Sequence, residues 1–184
     1  PPASLRLTLL FSIVVSTSLL AFGQQASTSA KISILPQPRE LTATGEVFRL
    51  DVNTQVTLAD PRSTEDQFAA NDFIDDVKQT AGLTLKTSRG RGRKTILIGL
   101  MSLPSIQSAL KTSNVTLPPS INEEGYALSV GKDGVVVGGA SPAGVFYGLQ
   151  TLKQLVRGDA ADAYIQGIRI VDWPAMRWRG VSDD

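Results

Sequence analysis

The sequence predicts an α+β fold: a mainly antiparallel sheet with two amphipathic helices packed on one face. Three observations predict it. "STEDQFAANDFIDDVKQTAG" (63–82) places Ala70, Phe73, Ile74, Val77 and Ala81 on one stripe of a helix, with Asp72, Asp75, Asp76 and Gln79 opposite. "SPAGVFYGLQTLKQLVR" (141–157) repeats the helical spacing with Val145, Leu149, Leu152 and Val156, widened by Phe146 and Leu155. "EGYALSV" (124–130) and "GVVVGGA" (134–140) flank "GKD", a hairpin signal that makes at least part of the sheet antiparallel. Two helices with one apolar stripe each bury it best against a shared sheet face.

The elements follow in order. "ISILPQPRELT" stays extended, because Pro36 and Pro38 bias the residues before them away from helix. "EVFRL" (46–50) and "TQVTLAD" (54–60) read as strands from their β-branched content. The first helix takes Ser63 or Thr64 as its cap, with Asp66 or Gln67 three residues on, and ends at Gly82. "LTLKT" (83–87) and "KTILIGL" (94–100) read as strands around a basic hairpin loop, and "SLPSIQSALK" as a short helix. The second long helix has Ser141 as N-cap, Pro142 at its first position and Gly158 as its stop. "AYIQGIRIVD" (163–172) is the last strand.

Upstream, "LRLTLLFSIVVSTSLLAF" (5–22) is apolar with one cation, Arg6, and leads into the small residues of "AFG". Residues 1–23 therefore read as a secretory signal peptide, too short and too polar for a membrane anchor, and 24–31 as a polar linker. The expected location is secreted or periplasmic, with no membrane contact after cleavage. The thin n-region and the missing initial Met read as an incomplete N-terminus.

Composition narrows the chemistry. The 184 residues are 42% hydrophobic and 19% charged, with a net charge of +1, so nothing demands a polyanionic partner and no nucleic acid is expected. Histidine and cysteine are both absent, which removes Ser-His-Asp and Cys-His catalysis, disulfides, and His- or Cys-ligated metal from the residues present. No cofactor is called for. "SRGRGRK" (88–94) packs cations as a phosphate-binding loop would, but has no interleaved aromatic residue and reads as a solvated hairpin loop. "GVVVGGASPAG" (134–144) runs glycines into a helix start without the spacing of a dinucleotide fingerprint or P-loop, so it reads as a tightly packed turn. Asp72, Asp75 and Asp76 share one helix face and read as solvated, not as the facing carboxylates a glycosidase needs. Glu123–Glu124 reads the same way, and Asn114 opens a glycosylation sequon. Residues 32–172 thus form one α+β domain without a catalytic constellation.

Three stretches, "ILPQPRELT", "SPAGVFYGLQTLKQLV" and "IVDWPAMRWRGVSDD", in that order and spacing, carry a resemblance. Together they resemble the non-catalytic α+β domain that precedes the catalytic barrel in β-N-acetylhexosaminidases of glycoside hydrolase family 20. The resemblance implies that residues 173–184 are the junction and first strand of a truncated (β/α)8 barrel, the intramolecular partner of the domain. It implies that Arg179 binds hydroxyls of a terminal N-acetylhexosamine, as a planar guanidinium can by forking two hydrogen bonds. The plainer reading of Arg179 is an ion pair at the junction with Asp183 or Asp184. The run Val181–Asp184 is less apolar than the family's usual strand. The resemblance further implies a substrate-assisted retaining mechanism. There the substrate's 2-acetamido group attacks the anomeric carbon, and an Asp-Glu pair outside these residues assists it. The fragment itself is then expected to be inactive. Related α+β domains precede barrels in α-glucuronidases, α-N-acetylglucosaminidases and O-GlcNAc hydrolase-like enzymes, and these stay open. So does a stand-alone carbohydrate-binding module, which would need exposed aromatic side chains. Tyr126, Tyr147, Tyr164 and the Phe residues sit mostly at core-like spacing.

Overall fold

The computed structural model describes residues 32–90 and 92–176. The expected signal peptide (1–23), linker (24–31) and Arg179 lie outside the described residues, as does most of the expected barrel strand. The elements run β1 (Glu40–Arg49), β2 (Gln55–Leu58), α1 (Thr64–Ala81), β3 (Lys86–Ser88), β4 (Thr95–Leu100), α2 (Pro104–Thr112), β5 (Tyr126–Val130), β6 (Gly134–Gly139), α3 (Pro142–Lys153), β7 (Val156–Arg157) and β8 (Tyr164–Asp172).

The fold is α+β, and the sheet is mixed, with four antiparallel and three parallel strand pairings among the described residues. Its order is β1-β8-β5-β6-β4-β2-β3, with β7 pairing on β8. The β1-β8-β5-β6 half is antiparallel, whereas β6, β4, β2 and β3 are mutually parallel. The basic loop is therefore no hairpin: β3 and β4 both pair with β2, one on each side. Lys94 of that loop is taken by an ion pair with Asp51. The short runs "TILIGL" and "VVVGG" lack alternation because both faces of β4 and β6 are buried, as parallel strands require.

Two cores result. On one face α1 and α3 cover Val56, Ile96, Ile98, Leu128, Val137, Ile168 and Ile170 with Phe73, Val77, Leu149 and Leu152. The two expected helices do share this face. On the other face α2, a third helix, packs Ile106 and Leu110 onto Leu97, Val136, Ala127 and Val171.

Local details follow the chemistry. Ser63 caps α1 by accepting from the Asp66 amide at 3.1 Å. Only half of a capping box forms, since neither Asp66 carboxylate oxygen has a hydrogen-bond partner among the described residues. Ser141 is the N-cap residue of α3 but does not cap with its side chain, whose hydroxyl donates to the Glu123 carbonyl at 2.6 Å instead. The helix stops at Lys153, and Val156–Arg157 turns into a short strand. The acidic face of α1 is not merely solvated. Asp72 accepts from Lys153 Nζ at 2.6 Å and Gln150 Nε2 at 2.8 Å, pinning α1 to α3.

These two aspartates respond oppositely to pH. Burial, aided by Glu65 and Asp60, pushes the Asp66 carboxyl up. The Lys153 ammonium holds Asp72 down. A raised folded pKa favours folding below the unfolded value and loses that contribution as pH rises through the folded one. A lowered one acts above the unfolded value and is lost as pH falls. Asp66→Asn should therefore stabilise the domain by about 1 kcal/mol at pH 7, since it removes a buried unpaired carboxylate. The gain should shrink as the pH is lowered and native Asp66 takes up a proton. Urea melts of both proteins at pH 7 and pH 4 read this directly.

Candidate functional site

The residues that gather most polar structure lie where the chain leaves β8. Register places the site: Asp172 lies opposite Tyr126, Tyr126 opposite Gly139, and Gly139 opposite Leu100. The C-terminal ends of β8, β6 and β4 thus form one edge. The helices α1 and α3 both begin at this edge, just after β2 and β6 end.

Asp172 is the hub. Its Oδ1 accepts from the Arg39 amide at 3.1 Å, and its Oδ2 from the Tyr126 hydroxyl at 3.3 Å. The Tyr126 and Thr151 oxygens are 2.7 Å apart; with the phenol proton on Asp172, Thr151 is the donor between them. Burial holds the Tyr126 phenol far above the ordinary tyrosine range, so it stays a donor. Arg39 then reaches past Asp172. Its Nε donates to the Trp173 carbonyl at 2.8 Å, and its guanidinium lies 4.8 Å from the centre of the Trp173 ring. Gln154, at the end of α3, clamps the other side by exchanging two 2.9 Å hydrogen bonds with the backbone of Leu35. The Leu35–Pro36 peptide is cis.

Described residues of all three stretches that carry the resemblance meet here, with Leu35 and Gln154 119 residues apart and Arg39 and Asp172 133 residues apart. Periodicity could not have found this cluster, because Tyr126 and Thr151 also satisfy the core pattern. Tyr126→Phe should cost about 1.5 kcal/mol by leaving the buried Thr151 hydroxyl without its acceptor. Thermal unfolding of the variant at neutral pH is the check.

Beside this cluster the same edge exposes aromatic surface, contrary to the core-like spacing. Phe68 is 67% exposed and Tyr147 is 42% exposed. Phe68 stacks on Phe146 at 6.4 Å, and Phe146 meets Tyr147 edge-on at 6.0 Å. Pro142 and Ala143 complete a shallow apolar cleft between the helix starts.

The glycine-rich turn carries packing. A Cβ on Gly144 would overlap the Gly125 carbonyl oxygen, and one on Gly148 would sit 2.7 Å from Val137 Cγ1. This turn is where α3 crosses close over β5 and β6. No phosphate-binding role is needed to explain it.

Arg179 lies outside the described residues. A family model for glycosyl hydrolase family 20, domain 2, matches residues 31–173. The chain belongs to glycosyl hydrolase family 20. Among curated relatives, a beta-hexosaminidase of Porphyromonas gingivalis is 30% identical over 192 residues, 97% of this chain and 23% of that protein. The family 20 exo-β-N-acetylglucosaminidase of Vibrio harveyi, solved with N-acetylglucosamine, superposes with a TM-score of 0.59. It is 20% identical over 79% of this chain and 20% of its own. CpGH84D superposes with a TM-score of 0.67 at 18% identity, over 82% of this chain and 25% of its own. At such identities the two structures attest the architecture alone; the family model decides the family. This family 20 domain spans between a fifth and a quarter of the length of these three proteins.

Proposed function

We propose that this family 20 domain is the non-catalytic α+β domain of a secreted or periplasmic β-N-acetylhexosaminidase. The match to domain 2 of the family across residues 31–173 carries this reading. The enzyme removes terminal β-linked N-acetylhexosamine from oligosaccharides or glycoconjugates. Residues 1–23 are its signal peptide, and Arg179 contacts the terminal sugar. The chemistry is substrate-assisted, with the acetamido group as nucleophile and an Asp-Glu pair supplied by the barrel.

The domain's own part is to brace that barrel. Two features support this role. The Asp172 cluster holds the departing chain in one direction, and the aromatic cleft of Phe68, Phe146 and Tyr147 opens on the same edge. Exposed aromatic surface beside a chain exit is what an interdomain contact requires.

The natural protein carrying this domain should hydrolyse a nitrophenyl β-N-acetylglucosaminide. It should leave the matching β-glucoside, which lacks the acetamido nucleophile, untouched. Equal turnover of the two would refute substrate assistance, and turnover of neither would refute the activity.

A further inference from the structure

The aromatic cleft at the starts of α1 and α3 is open at both ends. Phe68, Phe146 and Tyr147 form a ladder of rings spaced 6.4 and 6.0 Å apart. Phe68 and Tyr147 end the ladder, and both are exposed. A further ring placed roughly 4.5–7 Å from either would add a favourable pair. Pro142 and Ala143 line the cleft beside them, and the exposed Glu65 gives it one negative charge. Contiguous apolar surface with a charged rim marks a contact site.

The chain's own course supplies a candidate to cover it. Beyond Met176 the sequence continues "RWRGVSDD" (177–184). Trp178 is the one aromatic residue in that run, and Arg177 and Arg179 flank it. The point of departure is fixed. Arg39 Nε donates to the Trp173 carbonyl at 2.8 Å, and Pro174 biases Trp173 toward extended backbone. Only β5 separates β8 from β6, a lateral distance of about 10 Å, and α3 starts where β6 ends. Trp178 stands six positions beyond Asp172, which allows a reach of up to about 20 Å. That is enough to cross two strand spacings and the roughly 10 Å thickness of α3.

We propose that Trp178 docks in this cleft, with its indole against Phe68 and Tyr147 and Arg177 facing Glu65. Three effects favour it. Burying an indole against two exposed rings removes apolar surface from water. The charges match, since Glu65 is negative and both neighbours of Trp178 are positive. A short tether gives an effective concentration on the order of millimolar, so a contact too weak for separate molecules is populated within one chain. The inference rests on the bracing role proposed above and names the segment that performs it. Hydrolysis of a β-N-acetylglucosaminide tests the activity separately, so either can fail without the other.

The test uses the 184-residue chain, in which Trp173 and Trp178 are the two tryptophans. Trp178→Phe identifies the Trp178 indole N–H resonance by its loss. In the unaltered chain that resonance should show nuclear Overhauser contacts to the Phe68 ring. In Trp173→Phe, where Trp178 is the remaining tryptophan, acrylamide quenching of fluorescence reads how far the indole is covered. Adding Phe68→Ser should move the balance of docked and free Trp178 about fivefold toward free, the worth of one aromatic pair, and quenching should rise with it. An indole with no contact to the Phe68 ring would overturn the proposal, as would quenching that Phe68→Ser leaves unchanged. Protection that grows with chain concentration would assign the cleft to a second copy and overturn it too. Should the Phe68→Ser variant fail to fold, the contacts of the unaltered chain decide alone.

Discussion

Gly139→Ala is expected to leave little folded protein. A Cβ at this position would stand 2.6 Å from the Ser141 carbonyl oxygen and 2.7 Å from the Gly144 carbonyl carbon, with the Val145 amide nitrogen nearer still. All three are backbone atoms of the turn into α3, so no side-chain rotation relieves the overlap. The first turn of α3 would have to lift from the end of β6. Overpacking that must shift backbone costs about 3 kcal/mol or more. That is a large share of the roughly 5–15 kcal/mol that hold a domain together. Gly90→Ala is the matched control, because a Cβ there meets nothing within 4 Å. Its urea midpoint should stay within about 0.5 kcal/mol of the parent's.

Phe73→Ala should be the costliest ordinary core change, at about 4 kcal/mol. Phe73 is fully buried in the middle of the α1 stripe, within the cluster that joins α1, α3 and the sheet. Its loss leaves a cavity that the tightly held sheet cannot collapse to fill. The same helix carries Phe68 and Asp72, so a loosened α1 would also disturb the aromatic edge and the link to Lys153. Chemical denaturation should show a lower midpoint with an unchanged slope, the sign of lost stability without a change of fold.

Much of the fold was legible, for identifiable reasons. The stripes of α1 and α3 had enough turns for the period to show, and the GKD hairpin joined strands of ordinary length. The parallel half was not legible. β4 and β6 are buried on both faces, so neither showed alternation, and β3 has only three residues. Helix α2 buries just Ile106 and Leu110, too few positions to define a stripe or to say which face it covers. Nothing local marks the Asp172 cluster either, since it assembles Arg39, Tyr126 and Thr151 through tertiary pairing of β1, β5 and β8. The resemblance pointed to the right stretches without saying that they meet. The exposed aromatics were misread because Tyr147 neighbours Phe146 on α3, where only the flank of a core stripe is visible in sequence.

The central claim is that this domain supports catalysis without supplying catalytic groups. The most direct measurement is nitrophenol release from a chromogenic β-N-acetylglucosaminide by the purified 184-residue chain, beside the natural protein that carries the domain. The account predicts release by the longer protein and none above background by the chain alone. Turnover by the chain alone would contradict it.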